Sequence, residues 1–410
     1  MRRDTAARLA ADVFALAASL LTATLTAQAL GPAGKGYLAT LTLLVSLLVV
    51  VFEVGIGDAL IVLVGLGRAQ LAEAVRATVQ ATLWLALVAT IAFTAVAVVV
   101  LGPVASADRP ALALGASLVA VGVCYSTLVS VLLAIQRVAL VAAVSALGAA
   151  TTAAVMLVMA IGFELDVEAA ILASLCGAGF AAAACVIKLR AAQIAIRPRR
   201  APGYLPGALR LGLAFQLPNL LIVAAARLDL LLVFEIGGAE AAGRYSVALT
   251  IGALVALVPT AVAYAAFARI ANMAEPEARA FTGRVLRGGM LGALISALVL
   301  AAVVPVLLPW VFGESFRPAV GPTLILLAGG TLGSGQLLLA RLTSARGEPM
   351  ILIASFALSF IVMIGLDLVL IEAHGESGAA VAALISSFVG LCVAAALYRW
   401  RPTRGSTPRA

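Results

Sequence analysis

Leu209-Arg-Leu-Gly-Leu-Ala-Phe-Gln-Leu-Pro-Asn-Leu-Leu-Ile-Val-Ala-Ala-Ala-Arg227-Leu-Asp229-Leu-Leu-Leu-Val-Phe-Glu-Ile-Gly237 is the stretch on which the reading of this chain turns. It is long enough to cross a bilayer, yet it carries two charges in its middle. At about 1.5 Å per helical residue, Arg227 lies roughly 26 Å from Arg210 and roughly 15 Å from Gly237, near mid-membrane. A charge at helix centre costs about 2.5–3.5 kcal/mol on insertion scales, which the neighbouring Leu, Ile, Val and Phe residues offset at about 0.3–0.6 kcal/mol each. The segment can therefore insert, but its charges still need partners. Arg227 and Asp229 are two residues apart, so they project to nearly opposite sides of a helix and do not pair there. Neither has an opposite charge three or four residues away. Their partners, if any, lie on other helices.

Composition gives the class. The chain is 64% apolar and 11% charged, against about 25% charged in soluble domains. That is a polytopic membrane protein. Cys124, Cys176, Cys185 and Cys392 lie inside apolar runs at irregular spacing, so they form neither a disulfide framework nor a metal set. The single histidine, His374, stands near a helix end and reads as solvated. No cofactor is implied. At the N-terminus, Arg2, Arg3 and Arg8 followed by an apolar stretch and Ala27-Gln-Ala29 resemble a signal peptide. Asp12 interrupts that stretch, and its length approaches a full span; it reads as an uncleaved first helix.

Twelve apolar runs follow, at about 9–31, 37–64, 76–101, 112–135, 139–161, 167–188, 210–236, 244–267, 288–312, 319–340, 350–371 and 378–398. The side holding the N-terminus carries 22 Lys and Arg residues; the opposite side carries 4, namely Lys35, Arg109, Arg244 and Arg317. The asymmetry predicts that both termini face the cytoplasm. It also accounts for the net charge of +8. No basic motif interleaved with aromatics points to nucleic acid.

An internal repeat is visible at about half the chain length. Leu30-Gly31-Pro-Ala-Gly-Lys-Gly-Tyr37 matches Ile236-Gly237-Gly-Ala-Glu-Ala-Ala-Gly-Arg-Tyr245 after a short adjustment. Gln136-Arg137 matches Ala345-Arg346, and Ala169-Ala-Ile-Leu-Ala-Ser matches Ala379-Ala-Val-Ala-Ala-Leu. Six spans per half make the repeat parallel, a pattern of transporters whose substrate site lies between the halves. The predicted organisation is an N-lobe over 1–196, a basic cytoplasmic linker over 197–209, a C-lobe over 210–398 and a basic cytoplasmic tail over 399–410. The linker, with Arg197, Arg199 and Arg200, reads first as a loop lying on anionic lipid.

The same residues carry a family resemblance. Gln28-Ala-Leu-Gly-Pro-Ala-Gly-Lys-Gly-Tyr37 resembles the first-loop signature of the polysaccharide (O-antigen) translocases. So do Arg227-Leu-Asp-Leu-Leu-Leu-Val with Ala242-Gly-Arg-Tyr-Ser-Val-Ala248, Ala345-Arg-Gly-Glu-Pro349, and Gly375-Glu-Ser-Gly-Ala-Ala-Val-Ala382. The resemblance covers nearly the whole chain and implies the multidrug/oligosaccharidyl-lipid/polysaccharide exporter superfamily. It implies an all-α fold of 12 transmembrane helices in two six-helix lobes around a central cavity lined by helices 1, 2, 7 and 8. The implied activity is the flipping of polyprenyl-pyrophosphate-linked glycans outward across a bacterial cytoplasmic (inner) membrane. The implied partners are the lipid-linked glycan, membrane lipids, a polysaccharide polymerase and glycosyltransferases. On this resemblance, the chain is expected to lack the extra helix pair of the lipid II flippase branch.

Six charges fall inside the spans: Asp12, Glu53, Asp58, Arg227, Asp229 and Asp367. Glu53 lies about 24 Å from Tyr37 and about 18 Å from Gly65, close to the depth of Arg227. An arginine fork suits a pyrophosphate, which it can bind through two parallel bonds, and a buried carboxylate can carry a coupling proton. The plainer alternative is an ion pair that fixes lobe packing. Arg227, Glu53, Asp229 and Asp58 are the candidate substrate-binding residues; Asp12 and Asp367 read as interfacial. Gly55 and Gly57 after Glu53, and Pro218 and Pro259 in the seventh and eighth spans, suggest broken helices beside a charge. A cation-coupled multidrug exporter of the same superfamily is the rival reading. A membrane-embedded glycan enzyme would need a sizeable loop with clustered acids or histidines, and the connections between spans are too short for one.

Overall fold

The computed structural model describes residues 2–107, 109–194, 203–270, 273–346 and 350–400. Residues 197–202 of the basic linker, the tail from 401, Glu348 and Pro349, and the Asp12 side chain lie outside what it describes. Among the described residues every regular element is helical: α1 (Arg2–Glu53), α2 (Ile56–Gly65), α3 (Leu71–Ala107), α4 (Arg109–Ala134), α5 (Val138–Gly162), α6 (Val167–Ala191), α7 (Leu205–Gly252), α8 (Leu257–Ile270), α9 (Glu275–Phe312), α10 (Val320–Ser344) and α11 (Met350–Trp400). Short 3-10 segments at Ala253–Ala256 and Glu314–Ala319 precede α8 and α10. Among the described residues, ten helices are long and apolar enough to cross a membrane. The chain is an all-helical, multi-pass membrane protein. The physical reason is general: in lipid a helix satisfies its own backbone groups, and loose loops do not. The outward face is correspondingly apolar, with Val99 81%, Ile161 79% and Val306 76% exposed.

Three elements are far longer than a bilayer. α1, α7 and α11 run to 52, 48 and 51 residues, or about 72–78 Å if straight, against a hydrocarbon core of about 30 Å. Each is broken at one glycine: Gly31 (φ 63°, ψ −177°), Gly238 (φ 83°, ψ 173°) and Gly375 (φ 57°, ψ −138°). These angles cost a side-chain-bearing residue heavily and glycine little. Gly31 and Gly238 share one conformation, at positions one residue out of step in the sequence repeat. Pro32 follows the first break and suits a restarting helix, having no N–H to satisfy. Between the eleventh and twelfth runs the sequence suggested a loop of several residues; the structure has helix throughout except at Gly375.

Backbone packing divides the chain into two compact units, 1–220 and 221–410. In the first, α1 packs on α5 and α4, α4 on α3 and α6, and α5 on α6. Small residues permit close approach: a Cβ on Gly177 of α6 would run into Thr152 and the Gly148 carbonyl of α5. In the second, α10 packs on α11 and α9. The first turns of α7 group with the first unit.

The second apolar run, 37–64, is interrupted where Gly55 and Gly57 suggested. Val54 (φ 49°) and Gly55 (φ 64°) adopt left-handed conformations between α1 and α2. Close to the break, the Gln216 side-chain amide donates a hydrogen bond to the Val50 carbonyl. A Cβ on Gly55 would collide with the Gly212 carbonyl, and one on Gly212 would meet the Val54 and Gly55 carbonyls. The two glycines let the backbones of α7 and the broken span cross in contact. Pro218 sits within α7 without breaking it. Pro259 follows the 3-10 segment Ala253–Ala256, a tightening that accommodates the missing N–H.

Candidate functional site

In the second unit the chain buries two carboxylates. Asp229 (α7) is 2% exposed and Asp367 (α11) 0%. The Tyr245 hydroxyl, on the same element beyond the Gly238 break, donates to Asp229 Oδ2 at 2.6 Å, and the Leu230 N–H donates to Oδ1 at 2.7 Å. Tyr245 itself is fully buried. Asp367 has no hydrogen-bond partner on either oxygen among the described residues. The two carboxylates are near enough to repel each other, and Tyr245 feels both. A buried charge without a partner is costly, so this pair is stable only in company with a cation or a proton. Both acids are thus enclosed in one unit, and Tyr245 orients one of them.

This corrects the sequence reading of Asp367 as interfacial. It lies eight residues before the Gly375 break, which by length alone is near an interface, but packing against neighbouring helices closes it from solvent. Tyr245 was missed altogether. A signal for it existed: Asp229 is nine residues before Gly238 and Tyr245 seven after, so a turn at Gly238 brings them to similar depth.

Arg227, one helical step from Leu228 and two from Asp229, is exposed and carries no ion pair among the described residues. In the first unit, Glu53 ends α1, half-buried and near Ser126 of α4, whose hydroxyl donates to the Val123 carbonyl. Asp58 is exposed in the first turn of α2, where the helix N-terminus favours a negative charge. Glu53 and Asp58 thus flank the Val54–Gly55 break and feel each other's charge. The structure therefore groups Asp229 with Asp367 and Tyr245, and Glu53 with Asp58 and Ser126. Asp229 is turned into the second unit's interior while Arg227 is not, as their two-residue spacing requires. Among the described residues no group of three or more His, Cys, Asp or Glu side chains is placed to hold a metal ion.

No family model matches the sequence, and no curated protein matches it. Solved structures do. The fold is similar to the lipid II flippase MurJ in an inward closed conformation, with a TM-score of 0.77 at 12% identity over 96% of this chain and 87% of that one. It is similar to an inward-facing multidrug resistance MATE family transporter of the MOP superfamily, with a TM-score of 0.68 at 15% identity over 97% of this chain and 100% of that one. A MOP superfamily transporter from Pyrococcus furiosus, noted for a binding pocket of reversed polarity, gives 0.63 at 15% identity over 97% and 94%. At this identity the likeness is one of fold. It spans essentially the whole chain, and the proteins it joins are transporters and a flippase.

Proposed function

We propose that the chain is an alternating-access transporter that flips a polyprenyl-pyrophosphate-linked oligosaccharide from the inner to the outer leaflet for surface polysaccharide assembly. The whole-chain likeness in fold to MOP superfamily transporters, one of them a lipid flippase, supports the class. The observation that carries the cargo is Arg227: an exposed cation at estimated mid-membrane depth suits an anionic pyrophosphate and would repel a cationic drug. In this reading α1, α7 and α11 each contribute to two spans, broken at Gly31, Gly238 and Gly375, with α2 completing the second span and α8 the eighth, which gives twelve in two lobes. Asp229, Asp367 and Tyr245 serve as the coupling site, taking up a proton or monovalent cation in one state and releasing it in another. Glu53 and Asp58 face the cargo pathway at the broken second span. A polysaccharide polymerase and glycosyltransferases would act on either side of this step.

The cation-coupled multidrug exporter is the second reading, favoured by the buried acid pair and by the fold likeness to MATE transporters. A gene deletion separates them. Loss of surface polysaccharide, with lipid-linked glycan held on the inner leaflet, is expected for the flippase. Normal surface glycan with new sensitivity to cationic drugs would establish the exporter instead.

The orientation is tested separately. Single cysteines replacing Lys35, Glu240 and Glu376 in a background without the four native cysteines are expected to react with an impermeant thiol reagent added outside intact cells. Reaction only after permeabilisation would invert the topology.

A further inference from the structure

We propose that the ion-pair cluster centred on Arg244 is an outer lock over the Asp229–Asp367 acid pair, and that its parting opens the aqueous path by which a proton or small monovalent cation reaches those carboxylates. The proposal rests on the reading of that pair as the coupling site. A fully buried acid pair needs a route to water if it is to exchange anything. By helix rise, Asp229, Asp367 and Tyr245 lie about 13, 12 and 10 Å inward of the Gly238 and Gly375 breaks, which the basic asymmetry places on the outer side. Arg244 adjoins Tyr245 in sequence, but its side chain turns outward. Its Nη1 donates to Glu240 at 2.6 Å, one turn nearer Gly238, and its Nε donates to Glu376 at 2.7 Å, the residue that follows Gly375. The charged heads therefore occupy the layer between the acids and the outer breaks.

The bridge joins the two elements that carry the acids, α7 and α11. It is also placed to open cheaply. Arg244 and Glu376 side chains are 20% and 14% exposed, so the pair is held out of bulk water without being sealed from it. Glu240 is 63% exposed. When Glu376 moves away, Arg244 keeps Glu240 as its partner, and the cost of a stranded buried charge is avoided. Glu376 in turn gains water. A lock with a spare partner on one side has two arrangements of similar energy, which a gate requires.

The test uses right-side-out membrane vesicles containing the full chain and a hydrophilic, membrane-impermeant carbodiimide. The reagent modifies protonated carboxyl groups that water can reach, and peptide mass spectrometry reads Asp229 and Asp367 individually. The wild type is expected to react slowly at both. Glu376→Gln and Arg244→Gln are expected to raise the external rate about tenfold, and Asp367→Asn removes the Asp367 signal as a control. The charge-swapped double variant Arg244→Glu/Glu376→Arg, which keeps an opposite-charge pair, is expected to restore slow reaction and guards against misfolding of either single variant. Unchanged rates in both single variants, or a rise only when reagent is loaded inside, would overturn the lock. Failure of the coupling reading looks different: transport would survive Asp367→Asn whatever the modification rates.

Discussion

Asp367→Ala is expected to leave a protein that is more stable than the wild type and unable to transport. The two effects have one cause. In the folded chain the Asp367 carboxyl is fully buried, and neither oxygen has a hydrogen-bond partner among the described residues. Such a group costs about 1–3 kcal/mol of folding free energy. Deleting it removes that cost and leaves a hole of roughly three heavy atoms, worth about 0.5–1 kcal/mol in the other direction. The net is a gain of about 1 kcal/mol, readable as a higher midpoint in thermal unfolding of the detergent-solubilised protein. Transport driven by a cation gradient in reconstituted vesicles should fall to the level of empty vesicles. A residue that served packing alone would lose stability on truncation and keep transport. Asp229→Asn offers the contrast, since an amide oxygen can still accept from Tyr245; there the fold should hold while coupling is lost. Wild-type transport in Asp367→Ala would remove the acid pair from the mechanism.

Arg227→Ala carries the second large effect, and the structure sharpens its sign. An exposed side chain without an ion pair leaves nothing stranded when removed, so stability should change by no more than about 0.5 kcal/mol. Glycan flipping should drop about 10–100-fold, the worth of charge-assisted bonds of about 1.5–3 kcal/mol. Arg227→Lys keeps the charge but loses the planar fork, and should be impaired as well. The ion-pair alternative is decided by a double-mutant cycle with Glu53. If the two residues hold the lobes together, Arg227→Ala and Glu53→Ala should each destabilise by about 3–5 kcal/mol, and the double mutant should recover both folding and transport. Coupling indistinguishable from zero, with transport lost in Arg227→Ala alone, assigns the arginine to the cargo. Full transport in Arg227→Ala removes it.

What the sequence made legible was whatever depends on position along one helix. Length and hydropathy located the long apolar helices, and Gly55 falls where the second run breaks. The spacing of Arg227 and Asp229 foretold that they would face different ways, and they do. What it hid was which faces meet. These helices are apolar on every side, so no stripe announces the packed surface as it would in a soluble bundle. Asp58 and Asp367 show the consequence. Asp58 looked buried because its run was apolar, yet it stands exposed at the start of α2. Asp367 looked interfacial by its distance from a helix end, yet it is enclosed. Tyr245 is a third case: an aromatic in an apolar run reads as core, and only its alignment across the Gly238 break with Asp229 gives it a role.

The crossing of Gly55 and Gly212 bears on how the chain is made. The break in the second span is closed by the Gln216 amide on the Val50 carbonyl and by the Gly212 backbone, residues synthesised long after that span has entered the membrane. Until they emerge, the Val54–Gly55 joint lacks these contacts. The first unit is therefore not a finished folding module when its six spans are inserted. It is completed by the opening turns of α7, which pack with it.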